Sequence, residues 1–182
     1  MKIILVRHGE SEGNVAHLIN DDPSRPVNLT QRGRAQAEAA ANALRGVRFT
    51  HACASEFPRA QQTAAILLRH HALQLHIDAR LNERRSGMDG QHVDVFNDLV
   101  AGDPLHFKPV QGESFLEQMA RLRSFLDEIA SRHADGIVLA VSHENPIVAV
   151  LALLSDEPEL VVHRHLGNCE WVEVNWPAKR AV

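Results

Sequence analysis

The apolar positions of this chain change period along its length, and each change marks an element. Residues 2–6 form a short β-branched and aliphatic run that stops at Arg7-His8-Gly9, the pattern of a strand buried on both faces. Residues 31–45 are Ala-rich, with Thr30 able to cap their start and Gly46 placed to close them, which predicts a helix. Residues 51–54 predict a second short strand, and Pro58 stands where the first turn of a helix running to about His71 begins. Phe115, Met119, Leu122, Leu126 and Ile129 share one helical face, opposite Glu117/Arg121 and Glu128/Arg132 paired at i, i+4, and Gly112-Glu113-Ser114 supplies capping chemistry. Residues 137–141 predict another strand, and Asn145-Pro146 predicts the next helix, with Asn as cap and Pro at its first position. Residues 160–163 and 170–176 are expected to add outer or closing strands.

Strand, short loop and helix therefore recur. That alternation predicts an α/β three-layer sandwich, a mainly parallel central sheet flanked by helices on both faces. At 182 residues, 45% hydrophobic and 23% charged, the chain has single-domain size. No repeat or linker divides it, so one domain over 1–182 is expected, with 102–112 read as a loop over it.

Charge narrows the partners. A formal net charge of -4 gives no overall attraction to nucleic acid or to an anionic membrane, so neither is expected. An anionic substrate must be caught by local cations, and these are arginines, because Lys occurs only at positions 2, 108 and 179. Cys53 and Cys169 lie far apart and suggest no disulfide framework, which fits a reducing, cytoplasmic setting. The apolar runs at 3–6 and 146–154 fall short of a secretion signal (roughly 7–15 residues) and of a membrane span (about 20 residues) respectively.

In an open α/β sheet, ligands bind outside the strand C-termini. Arg7 and His8 follow the first strand, Ser55 and Arg59 the second, Glu83 comes after Leu75-His76-Ile77, and His143 follows residues 137–141, so all are expected on one edge. Two histidines with two arginines suit a phosphoryl group. A neutral imidazole nitrogen can attack phosphorus while guanidiniums offset the charge on its oxygens. Glu83 is the available carboxyl for protonating the leaving oxygen. The other histidines scatter without metal-ligand spacing, so no metal site is expected.

Arg7-His8-Gly9-Glu10-Ser11 with Asn14, preceded by Ile4-Leu5-Val6, resembles the signature of the histidine phosphatase superfamily, which includes the phosphoglycerate mutases. Further matches follow in order: Asn28-Leu29-Thr30 with Gly33 and Gln36-Ala37, Ser55 with Arg59-Ala60-Gln61-Gln62-Thr63-Ala64, Leu81-Asn82-Glu83 with Gly87, Gly112-Glu113-Ser114, and Val141-Ser142-His143. The resemblance implies that His8 is the phosphorylated nucleophile, that Arg7, Arg59 and His143 bind the transferring group with Asn14 nearby, and that Glu83 is general acid, then base. It implies no metal or other cofactor, and a small phosphorylated substrate or phosphoprotein as partner. For its double duty the pKa of Glu83 should lie above that of a free Glu, raised by partial burial against the pull of neighbouring arginines.

The chain departs from the family where Glu144 stands in place of the glycine that usually follows the second histidine. A carboxylate there is expected to repel a dianion unless it points away or meets a cation, so Glu144 counts among the residues that bear on substrate binding. Arg84 and Arg85 read as solvated loop charges, with a second anionic substrate group as the other reading. Residues 84–112 are expected to form a lid or specificity segment. Cofactor-dependent mutases are longer and carry more basic residues there, so a phosphatase is favoured. A phosphoglycerate-mutase-like phosphotransferase and a catalytically weakened phosphate-binding relative remain alternatives. Oligomeric state is left open.

Overall fold

The computed structural model describes residues 1–177; Lys179 and the end of the expected 1–182 domain lie outside them. The sheet has five strands: β1 (Lys2–Arg7), β2 (His51–Ala54), β3 (Leu75–Ile77), β4 (Ile137–Ser142) and β5 (Trp171–Asn175), in the order β3-β2-β4-β1-β5. β1, β2, β3 and β4 pair in parallel, and β5 closes the edge antiparallel to β1. The central strands read as unbroken apolar runs because both faces are covered. Ile3 and Leu5 of β1, with Val138 and Ala140 of β4, enter one core; Ile4 and Val6, with Leu139 and Val141, enter the other.

The helices are α1 (Glu12–Ala16), α2 (Gln31–Leu44), α3 (Pro58–Leu67), α4 (Val93–Val100), α5 (Phe115–Arg132), α6 (Glu144–Leu153) and α7 (Pro158–Val161). Ala37, Ala40 and Ala41 let α2 lie close to the sheet beside α3, while Leu122, Leu126 and Ile129 of α5 pack with Ile147 and Val150 of α6 on the opposite face. The result is the three-layer α/β sandwich expected. β1 is followed by a crossover through α2 on one face and the adjacent β4 by α6 on the other. The crevice between their C-terminal ends is thus where chain direction diverges and a ligand site forms.

Several expectations need correction. Residues 160–163 are not a strand: Pro158 starts the short helix α7, and the edge of β1 is already taken by β5. α6 begins at Glu144 with His143 as its cap, so Asn145 is helical and Pro146 occupies the third position. Proline is tolerated there because first-turn N–H groups have no partner within the helix. Glu117 does not pair with Arg121. It closes a capping box with Ser114 and binds Lys108 at 2.7 Å, while Arg121 turns to Glu113 at 2.6 Å. Glu128 and Arg132 do pair, at 2.8 Å. Helices α1 and α4 come from segments whose sequence carried no prediction.

Candidate active site

The turn after β1 is shaped by a close approach of two glycines. A Cβ on Gly9 would stand 2.4 Å from the carbonyl oxygen of Gly33, and one on Gly33 would stand 2.0 Å from that of Glu10. Only glycine at both positions lets the turn lie against the start of α2. The Gly9 N–H donates to Thr63 Oγ1 at 3.1 Å, and the Thr63 hydroxyl donates to Arg59 O at 2.8 Å, so α3 is fastened to the same turn.

His8, thus held, is buried, and its Nδ1 lies 2.7 Å from Gly9 O. A carbonyl oxygen can only accept, so Nδ1 carries the proton and Nε2 presents its lone pair. Arg59 Nε donates to that lone pair at 3.2 Å. Arg59 Nη2 also donates to His143 Nδ1 at 3.2 Å, which leaves the proton of His143 on Nε2, directed at Ser55 Oγ 2.8 Å away. The two imidazoles meet edge to face with centroids 5.1 Å apart. One guanidinium therefore bridges two lone pairs and fixes both tautomers.

Burial and the charge of Arg59 hold His8 and His143 well below the usual histidine range, so both are neutral at pH 7. Burial also pushes Arg59 down to about 10, still a cation at neutral pH. The Glu83 carboxyl is raised above its ordinary value. Burial is the main cause, outweighing the Arg84 N–H it accepts at 2.8 Å and the nearby charges of Arg59 and Arg7, with Glu144 adding to the rise. The direction is the one expected of an acid that must hold its proton.

Arg7, His8, Asn14, Arg59, Glu83 and Glu144 all line one cavity of about 750 Å³, with His143 buried beside it against His8 and Arg59. Asn14 spends its Oδ1 on Ser11 N and Asn168 Nδ2. Glu144 meets a cation of the protein itself: its carboxylate binds Arg7 Nη1 at 2.9 Å and accepts from His165 Nδ1 and Leu166 N, each at 3.1 Å. Arg7 also donates to Leu166 O, and its buried Nε has no hydrogen-bond partner among the described residues.

Arg84 is not a solvated loop charge. It is buried, stacked over Phe96 (5.2 Å) and Phe115 (5.7 Å), and donates to the carbonyls of Glu113 and Phe107, both at 3.3 Å. Two neighbouring aromatic rings, not visible as neighbours in sequence, take it out of water. Arg85 is exposed, 3.6 Å from Glu113.

Four residues that sequence reasoning gave no site role complete the arrangement. Asn20 holds the far side of Arg59, accepting from Nη1 through Oδ1 and from Nη2 through its backbone carbonyl at 3.0 Å. Ser55 Oγ accepts the Nε2 proton that the Arg59 contact leaves on His143, and its place after β2 was the available signal. Asn168 donates to His8 O at 3.1 Å. Arg121 donates to Asn82 O at 2.9 Å and to Glu83 O at 3.1 Å, steadying the backbone that presents the carboxyl; the i, i+4 pattern gave it the wrong partner. Among the described residues, no group of three or more His, Cys, Asp or Glu is placed to hold a metal ion, and no helix is long and apolar enough to cross a membrane.

Residues 3–182 match the model of the histidine phosphatase superfamily (branch 1). The chain is 31% identical to the adenosylcobalamin/alpha-ribazole phosphatase of Escherichia coli (strain K12) over 184 residues, 96% of this chain and 90% of that protein. It is 35% identical over 147 residues to the protein named "Probable fructose-2,6-bisphosphatase TIGAR A" of Danio rerio, covering 74% of this chain and 57% of that relative's length. The crystal structure of the alpha-ribazole phosphatase from Shigella flexneri superposes with a TM-score of 0.82 at 28% identity, over 96% of this chain and 90% of that one.

Proposed function

This chain belongs to the histidine phosphatase superfamily (branch 1), and on that premise we propose that it hydrolyses a phosphomonoester through a phosphoryl group carried on His8. The observation that carries the reading is the guanidinium of Arg59 bridging the unprotonated nitrogens of His8 and His143. An imidazole with its proton held by Gly9 O, and its lone pair occupied only by a guanidinium donor that phosphoryl oxygens can draw away, is a nucleophile made ready by its surroundings.

In the first step the Nε2 lone pair of His8 forms the N–P bond, the bond from phosphorus to the ester oxygen breaks, and Glu83 passes its proton to that oxygen. The positive charge that the ring gains is eased by the Nδ1–H bond to Gly9 O. Arg59 turns its donors from imidazole nitrogen to phosphoryl oxygen, and Arg7 and Asn14 add donors from the same wall. In the second step the Glu83 carboxylate takes a proton from water as its oxygen attacks phosphorus. The N–P bond breaks, the electron pair returns to Nε2, and inorganic phosphate leaves.

One observation favours a second reading, a weakened phosphate binder: Glu144 already occupies part of Arg7. The same experiment separates the two. Wild type should release phosphate from p-nitrophenyl phosphate and carry an acid-labile, alkali-stable label after brief exposure to labelled substrate, and His8→Ala should do neither. Phosphate binding without label or release would defeat the hydrolytic reading and favour the second.

A further inference from the structure

The Arg59 guanidinium has two edges. On the inner one, Nε and Nη2 donate to the lone pairs of His8 and His143, and these are the donors a phosphoryl group would draw away. The outer one stays on the protein, with Nη1 on Asn20 Oδ1 and Nη2 also on Asn20 O. The direction from which Arg59 meets phosphorus is therefore set by Asn20, and what sets Asn20 lies outside the cavity lining.

A side-chain amide can turn over, so its oxygen must be kept against the guanidinium. Asn20 Nδ2 faces three acceptors: Arg25 O at 3.2 Å, Asp89 Oδ1 at 3.3 Å and Asp22 O at 3.4 Å. With the amide reversed, all three would meet an oxygen and Arg59 would meet an NH2 group. Of the three, only Asp89 is charged. Its Oδ1 also accepts the N–H groups of Asp21 at 3.0 Å and Asp22 at 3.4 Å. Three donors on one oxygen suit a carboxylate better than a neutral carbonyl with two lone pairs. Its Oδ2 pairs with Arg25 on the exposed side.

Asp89 is held in turn. Asp21 Oδ2 accepts from Ser86 N, from Ser86 Oγ at 2.7 Å and from Gly87 N at 3.0 Å. Ile19 O accepts the Gly90 N–H and Gln91 O the Ile19 N–H, both at 2.8 Å. Gly87 (φ 68°) and Gly90 (φ 83°) supply the left-handed backbone that brings residues 86–91 back against residues 19–22. Two carboxylates thus reach in opposite directions between these segments, and the second segment runs on into α4, whose Val93, Phe96 and Val100, at i, i+3 and i+7, line the cavity. Asp89 also acts through space: burial depresses the Arg59 pKa, and the charges of Glu83 and, more weakly, Asp89 oppose it.

We propose that Asp89 is a positioning residue for phosphoryl transfer, which through the Asn20 amide holds the Arg59 guanidinium in the orientation that meets the transition state. The inference deepens the hydrolytic reading above and rests on it for turnover. Asp89→Ala should lower kcat on p-nitrophenyl phosphate by about tenfold to a hundredfold, with KM changing less than about threefold. Orthovanadate can take the trigonal-bipyramidal geometry of the transferring group. By calorimetry it should bind Asp89→Ala about tenfold more weakly than wild type, while inorganic phosphate shifts by less than about threefold. Asn20→Ala should do the same, and Asp89→Ala should add less than about twofold in the Asn20→Ala background. Asp89→Asn, which keeps an acceptor and loses the charge, should fall between Asp89→Ala and wild type. Arg25→Ala removes only the exposed partner of Oδ2 and should stay within about twofold of wild type.

A merely structural role would lower the melting temperature and weaken phosphate and vanadate alike. That result, full additivity of the Asn20 and Asp89 substitutions, or an unchanged vanadate affinity in Asp89→Ala would overturn the proposal. If Asp89→Ala does not fold, Asp89→Asn enters the same cycle, and an unchanged ratio of vanadate to phosphate affinity there overturns it equally. The binding cycle needs no turnover, so a wild type that binds vanadate and releases no phosphate from its substrate would defeat the hydrolytic reading alone.

Discussion

The parallel strands carry imidazoles at both of their ends, and the two groups are built differently. At the C-terminal ends, His8 and His143 meet edge to face and share one guanidinium, with a carbonyl or hydroxyl oxygen on the far nitrogen of each ring. At the N-terminal ends, His51 opens β2 and lies flat against His133, the cap of α5, at 4.3 Å, and against His76 of β3 at 4.6 Å. Both arrangements depress the imidazole pKa, His51 to about 4, through burial first and neighbouring charge second. A neutral ring is therefore not what distinguishes a nucleophile. The difference lies in orientation: at one end the proton is fixed on the nitrogen away from the Arg59 guanidinium, and the other nitrogen faces a donor that phosphoryl oxygens can draw away.

The sharpest break of that comparison is a pair of substitutions. His8→Ala should lower kcat on p-nitrophenyl phosphate by at least about 10⁴-fold, the scale on which removal of a nucleophile acts. His51→Ala should stay within about twofold, since β2 places it at the opposite end of the sheet. A comparable loss in both would mean that position on the sheet does not separate the clusters.

Next in size is Glu83→Gln, expected to cost about 10²- to 10⁴-fold. Its pH profile is the more telling measurement. kcat/KM should rise as His8 loses its proton, at a pH below the ordinary histidine value, and should fall as Glu83 loses its own above the ordinary glutamate value. Glu83→Gln should abolish the alkaline fall and keep the acid rise. Survival of the alkaline limb would assign it to another group.

A smaller effect is expected at Glu144. Removing this carboxylate in Glu144→Gly takes one partner from Arg7 Nη1, which keeps its bond to Leu166 O, and unties the Leu166 N–H, so turnover of a simple aryl phosphate should rise by only a few-fold, about the worth of a partly exposed ion pair. An unchanged rate would show that Arg7 reaches its substrate with the pair intact.

The sheet, α2, α5 and the gathering of Arg7, His8, Arg59 and His143 at one edge were legible because each is written in local chemistry. β-branched runs end at Arg7-His8-Gly9 and at Ser142-His143, and Thr30 and Ser114 cap as their positions imply. The partners that hold the cluster were not. Asn20, Asn168 and Arg121 act across 39, 160 and 38 residues of sequence respectively, through contacts that no periodicity records. Arg84 was misread for the same reason: Phe96 and Phe115 reach it from two different helices. Helix α4 escaped because Val93, Val95 and Val100 lower its intrinsic propensity, although its i, i+3, i+7 stripe was present.

The smallest expected effect tests what the two clusters share. Each holds histidines neutral in the fold below the pH at which a free imidazole takes its proton. As pH falls through about 6.5, the unfolded chain binds protons that the folded chain refuses, so stability is complete above that value and is lost as pH falls towards the folded pKa, about 4 for His51. The melting temperature should therefore drop between pH 7 and pH 5. His51→Phe keeps a flat ring against His133 and His76 while removing one titrating group, so its drop over the same interval should be shallower than that of wild type. Parallel curves would show that the stack does not keep His51 unprotonated, and the likeness between the two clusters would end there.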